Sequence, residues 1–414
     1  MGAWLEILRR HRVMRASAAA VFLYGFTGAA TSPYLSIIGI RELGMSDSGF
    51  AALALAAAVA NVMMAIGVGM ISDRFQSYRR PLIFVSCFGI IGFGMVWAVP
   101  SILTFSIAAL GPLALFHAMN SMLFGNVRAH SARFDAEETR IANALMRIMI
   151  SLSWVVMPGA VGLFLAGRDS MIDAYLIAAF VAFGIFLTVT FWLEPDAKPQ
   201  APLPDPQPDG ALAAPPAAPQ TRPAAWRDLQ LLFARGLLLR VLGVALISQV
   251  LHVNGSVLSL IVTGSANGQT ADVGFLVGLV AVLEVIFMIF WSRATRTLPI
   301  TAALLICSVL YLGYLGALAI ATAPWHVYLA SFLAGFAAAG IISLPISYLL
   351  DLIKDRPGLS ASLLAVNMFL GGGLGAGVFG LGTWLGGYGL AAVLSGIAGC
   401  IGAALVMYVE WKKP

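Results

Sequence analysis

Two ionisable side chains stand alone inside long apolar runs, and chemistry is sought there first. Glu284 is the one acid well inside such a run, and Arg147 is the one deep cation. A charge in hydrocarbon is expensive unless neutralised or paired, so such residues normally face a polar interior or a water-filled path. Glu284 can take up and release a coupling proton, or bind the hydroxyl groups of a solute. A structural hydrogen bond or ion pair is the alternative. Arg147 can hold a solute or a carboxylate, or satisfy backbone carbonyls. The other strongly polar residues inside apolar runs are Asn61, His117, Asn120, Gln249, His252, Asn254 and Asn367. The two histidines can exchange protons near neutral pH or serve as hydrogen-bonded interior groups.

At 100° per residue these groups gather on helix faces. One face holds Tyr24, Thr27, Gly28 and Thr31, and a second holds His117, Ser121, Phe124 and Arg128 with Asn120 beside it. The others are Asn143, Arg147, Ser151, Trp154 and Pro158; Ser248, His252, Gly255, Ser259 and Thr263; and Gly340, Ser343, Ser347 and Asp351. Aromatic rings beside hydroxyl and amide groups suit a polyhydroxylated or amphiphilic solute. One face alone is more simply read as helix–helix hydrogen bonding; five together favour a solute path. Enzyme chemistry has no footing: there is no H-E-x-x-H, no G-x-S-x-G and no G-x-x-x-x-G-K-[ST]. Cys87, Cys307 and Cys400 are far apart in apolar runs and form neither a disulfide framework nor a metal motif. No cofactor is expected.

The elements that position these residues follow from composition. The chain has 414 residues, 60% hydrophobic and 10% charged, with mean hydropathy +0.91. That balance excludes a water-soluble enzyme or a nucleic-acid binder. Twelve helices of about 20 residues, each crossing a core ~30 Å thick, need about 240 apolar residues, and 60% of 414 is about 248. The apolar runs are continuous rather than alternating, which argues against an outer-membrane barrel. We place spans near 14–40, 48–71, 81–99, 102–126, 140–166 and 173–193, then near 237–263, 271–292, 299–321, 325–350, 359–384 and 387–409. The basic stretch before the first span imitates a signal peptide but reads as an uncleaved first span.

Ten of the twenty prolines fall between Glu194 and Ala225, so this segment reads as a semi-extended linker. Trp226 to Arg235 reads as a short helix on the membrane surface. The expected organisation is a six-helix bundle in 1–193, a linker with its surface helix in 194–236, and a second six-helix bundle in 237–414. Of 24 cations, 21 lie on the side of the termini, Arg41 and Arg168 lie on the other, and Arg147 is inside a span. By the positive-inside rule both termini are cytoplasmic, which suits a multi-pass protein of the inner (plasma) membrane. Apart from Asp173 at the first position of span 6, spans 3, 6, 9 and 12 lack Asp, Glu, Lys, Arg, His, Asn and Gln, so every third helix reads as lipid-facing or packing. A period of three in two six-span halves is the pattern of a two-bundle transporter with its site at the interface.

After span 2 the chain reads Gly69-Met-Ile-Ser-Asp73-Arg74-Phe-Gln-Ser-Tyr-Arg79-Arg80. Gly69 permits a close helix approach and Asp73 can pair with an arginine; a plain topology-setting charged loop is the alternative. The stretch resembles the cytoplasmic signature of the major facilitator superfamily, G-x-x-x-D-R-x-G-R-R, with two residues inserted in its second half. The resemblance implies the major facilitator fold, with Gly69, Asp73 and Arg74 at an inner gate. Ser32-Pro33-Tyr34-Leu35-Ser36 with Arg41-Glu42-Leu43-Gly44, Met146-Arg147 with Ser151 to Pro158, and Leu283-Glu284-Val285 are similar to the sugar efflux transporters of that superfamily.

What that resemblance implies is export of sugars, glycosides or polyols by proton antiport. The expected substrate path comprises Tyr24, His117, Asn120, Arg147, His252 and Asn367, with Glu284 coupling the proton. Spans 1, 4, 7 and 10 would line the path, and the Asp73 loop would stabilise the outward-open form. The expected partners are a small solute, protons and the lipid bilayer, and the expected state is a monomer. Export of drugs or other amphiphiles is the alternative, served by a methionine patch of Met63, Met64, Met146 and Met149. A non-transporting receptor is a further one, but no sizeable soluble output segment is visible.

Overall fold

The computed structural model describes residues 2–75, 78–130, 134–168, 170–194, 235–352 and 357–412. A short helix, Gly2–Arg10, precedes span 1, Arg12–Thr31, which continues through a tight turn at Ser32–Tyr34 and a wide-wound stretch at Ile37–Glu42. Span 2 is Asp47–Phe75 and span 3 Arg79–Ala98. Span 4 comes in three pieces, Ile102–Leu110, Pro112–His117 and Met119–His130. Span 5 is Ala136–Leu165 and span 6 Asp173–Leu187, prolonged by Thr188–Trp192. The second half has span 7, Arg235–Val262; span 8, Thr270–Ala294; span 9, Ile300–Ala319; and span 10, Pro324–Asp351.

The last helix, Pro357–Trp411, is 55 residues long, but its backbone leaves helical geometry at Gly386 and Gly387. Unbroken, 55 residues would rise more than twice the ~30 Å of a bilayer core. Gly387 takes φ +82°, which a side chain would strain, and Gly382 lies so close that a Cβ there would stand 2.3 Å from Ala391 Cα. The chain therefore folds back, giving spans 11 and 12 and twelve passes in all. The helices start where sequence chemistry lets them. Ser101 and Asp135 cap spans 4 and 5 through reciprocal boxes with Thr104 and Glu138, and Pro324 opens span 10. Pro112, which has no N–H to donate, restarts span 4 after Gly111.

Span 1 packs on spans 5 and 6, and span 3 on span 6. In the second half span 7 packs on the long last helix, span 8 on span 10, and span 9 on span 10 and the last helix. The two six-helix bundles meet mainly through span 5 with span 8 and span 2 with span 11. Large apolar side chains on the outer faces, such as Phe84, Phe180 and Leu329, are exposed and suit lipid. Spans 9 and 12 pack within the second bundle. Span 9 buries Tyr311 and Tyr314 in the bundle, and Tyr314 donates to Asn254 Oδ1 at 2.9 Å. Span 12 supplies Ser395, which donates to Gln249 Oε1 while Gln249 Nε2 donates to the Ser395 carbonyl at 2.8 Å.

Candidate solute cavity

The first-half wall is built on spans 1, 4 and 5. Tyr24 Oη lies 3.4 Å from His117 Nδ1, with the rings perpendicular and their centroids 6.5 Å apart. Span 4 is interrupted beside His117, where Ala118 N bonds back to the Leu115 carbonyl. His117 is exposed at mid-span and turned toward span 1, so its free surface borders an internal space rather than lipid. Trp154 of span 5 lies against Gly28 of span 1. On span 5, Ser153 meets Gly25 of span 1, while Val155 and Pro158 meet Gly278 and Gly274 of span 8. Arg147 falls on the arc between those two faces and is exposed. The lipid arc, with Leu152 and Val156, lies opposite. Among the described residues Arg147 has no hydrogen bond or ion pair.

The second-half wall is built on spans 7, 8 and 11. His252 is exposed at mid-span, and its ring lies beside Gly371, Gly372 and Gly375 of span 11. Asn367 is 7% exposed and donates to Ser248 Oγ at 3.1 Å. Glu284 is half-buried and within electrostatic reach of Tyr311. It too has no hydrogen bond or ion pair among the described residues. Among the described residues four buried amide oxygens, of Asn61, Asn120, Asn126 and Asn367, lack a protein donor. A buried acceptor without a donor is costly, so these oxygens are disposed to receive hydroxyl or amide protons.

Several expectations change here. A Cβ at Gly69 would meet nothing within 4 Å, so the close helix approach is absent in this conformation, in which the spans diverge at that end. Asp73 and Arg74 end span 2, and their side chains lie outside the described residues. The face through Gly340 is packing at that point: a Cβ there would strike Cys307 Sγ and touch Trp291. On span 1, Thr27 and Thr31 spend their hydroxyls on backbone carbonyls of their own helix. The span 7 stripe divides. Ser248 and His252 border the cavity, whereas Ser259 and Thr263 bond the first half at the other end. The methionine patch does not exist as one surface, since Met146 is fully buried while Met63 is 66% exposed. The surface helix expected at Trp226 to Arg235 lies outside the described residues but for Arg235, which begins span 7.

Twelve membrane-spanning passes in two six-helix bundles, with polar side chains held between helices, define a membrane transporter rather than an enzyme. The chain belongs to the Major Facilitator Superfamily, whose family model matches residues 113–376. It is 28% identical, over 279 residues covering 67% of each chain, to a protein of Deinococcus radiodurans described as "Putative sugar efflux transporter". In fold it is similar to the crystal structure of the nucleoside transporter NupG, with TM-score 0.73 and 14% identity over 97% of this chain and 100% of that one. It is also similar to a bacterial homolog of the human lysosomal transporter Spinster, with TM-score 0.73 and 12% identity over 98% and 97% of the two chains.

Proposed function

We propose that this transporter exports sugars or sugar-like solutes by alternating access, driven by proton antiport. The observation that carries the reading is that, among the described residues, the intramembrane Glu284 and Arg147 have no hydrogen bond or ion pair. A polyhydroxylated solute supplies donors for Asn61, Asn120, Asn367 and Glu284, and acceptors for Arg147, while Tyr24 and His117 offer apolar ring faces to its C–H surface. Glu284, free of a fixed partner, is the group that can gain a proton from one side and lose it to the other. Gly69, Asp73 and Arg74 belong to the gate at the end of the termini. The sugar efflux relative supports the substrate class. The cation asymmetry supports cytoplasmic termini and an inner-membrane location, and the reading takes 194–236 as the link between two bundles of a monomer.

The test is flux in liposomes under an imposed pH gradient, with labelled sugars set against amphiphilic dyes. Gradient-driven sugar efflux is expected to fall by about a hundredfold in Glu284→Gln, while sugar counterflow, which needs no net proton movement, persists. Unchanged gradient-driven flux in that variant would sink the coupling role, and transport of dyes without sugars would sink the substrate class.

A further inference from the structure

Arg41 is one of two cations on the face away from the termini, and its guanidinium crosses the seam between the bundles. Nη1 donates to Thr263 Oγ1 at 2.6 Å, and Nη2 donates to the Leu260 carbonyl at 2.6 Å. Both acceptors sit at the end of span 7, where a helix runs out of amide donors and its dipole is negative. In that last turn Thr263 N donates to Ser259 O, Gly264 N and Ala266 N both donate to Ile261 O, and Gly268 N donates to Val262 O. The turn skips Leu260, and Arg41 takes the carbonyl left over. Gly264 makes room: a Cβ there would stand 2.7 Å from Arg41 Nη2.

The neighbouring seam is held by hydroxyl groups, one of them on a carboxylate. Ser36 Oγ donates to the Ser256 carbonyl at 2.7 Å and lies 3.0 Å from Ser259 Oγ, and Tyr388 Oη donates to Asp47 at 3.0 Å. Glu42, next in the chain, is held instead by Met171 N at 2.6 Å and Ser170 Oγ at 2.8 Å. Among the described residues Arg41 has no carboxylate at ion-pair distance. A cavity of about 490 Å³ opens on this spot, lined by Arg41, Glu42, Met171, Thr263, Gln269 and Thr270. Water in it can replace each hydrogen bond as it breaks, so release strands no charge.

We propose that Arg41 is a reversible latch. It holds the bundles together at the face away from the termini by capping span 7, and that face opens when it lets go of Leu260 and Thr263. The inference rests on the alternating-access reading above and identifies a residue that controls it. Lysine keeps the charge but loses the forked donation, so Arg41→Lys should weaken the latch and Arg41→Gln should weaken it more.

The experiment places spin labels at Ala166→Cys and Ser265→Cys, exposed positions on opposite sides of the seam, with Cys87, Cys307 and Cys400 replaced by alanine. Electron–electron distance distributions are read in reconstituted protein with and without a pH gradient. The parent should favour a short distance. Arg41→Gln should raise the ratio of long to short by about tenfold, with smaller rises for Arg41→Lys and for Thr263→Val, which removes only one acceptor. A parent that exchanges between two distances while every variant matches it overturns the latch alone. One distance in parent and variants alike, with and without the gradient, overturns the alternating-access reading and the latch with it.

Discussion

At the end away from the termini, spans 5 and 8 approach until Gly274 and Gly278 face the backbone carbonyls of Pro158 and Val155, and span 2 meets span 11 at Ala51 with Gly380, Leu55 with Gly373 and Ala58 with Gly372. Toward the termini the same helix pair carries Met63 and Met368, 66% and 69% exposed, and the neighbouring Gly69 has open space around it. The closed end is sealed by small residues, hydroxyl hydrogen bonds and one arginine held by a carbonyl and a hydroxyl. The open end is where Arg147, Glu284 and the charged loops lie. The difference teaches that the closed end is made of contacts that water can replace cheaply.

The sharpest way to break this contrast is to spoil the tight end. A Cβ at Gly274 would meet Pro158 O at once, so Gly274→Leu should cost about 3 kcal/mol or more by overpacking, read as a lowered midpoint of thermal unfolding in detergent. If the midpoint held, the span 5–span 8 seal would not be as drawn. Glu284→Gln comes next and acts on coupling rather than on stability. A smaller effect is expected at the buried Tyr314–Asn254 bond. Tyr314→Phe leaves the Asn254 amide oxygen unpaired and should cost about 1–2 kcal/mol with flux reduced only modestly; an unchanged unfolding midpoint would count against the bond. The smallest is at the loose end: Gly69→Ala should change stability by less than about 0.5 kcal/mol. A fall in its transport rate without that loss would show that the inner end needs the glycine only when it closes.

Much of the fold was legible because bilayer thickness makes length and apolarity decisive. The twelve passes were readable from continuous runs, and the turn between the last two sits at the Gly386–Gly387 pair. Span 8 packs on span 5 where Gly274 and Gly278 leave room for the Pro158 and Val155 carbonyls. The site was legible only as a set of residue types. Helical spacing put Ser248, His252, Ser259 and Thr263 on one face, but spacing cannot say that the face changes neighbours along its length. Gln249 looked like a cavity residue, yet it is fully buried against Ser395, because an amide in a bundle pairs with whichever hydroxyl or carbonyl lies opposite. Arg41 stood out only as an isolated far-side cation.

By itself the sequence determined the membrane-spanning class, the pass count, the split into two six-span halves and the short roll of residues able to do chemistry. Each depends on composition and local periodicity, which act along the chain. Tertiary structure alone decided which of those residues are satisfied and which stand free. Arg41 finds a carbonyl that span 7 cannot cap, Gln249 finds Ser395, and Glu284 and Arg147 find no partner among the described residues. Those outcomes depend on which helix lies opposite at each depth, and no single helix encodes that.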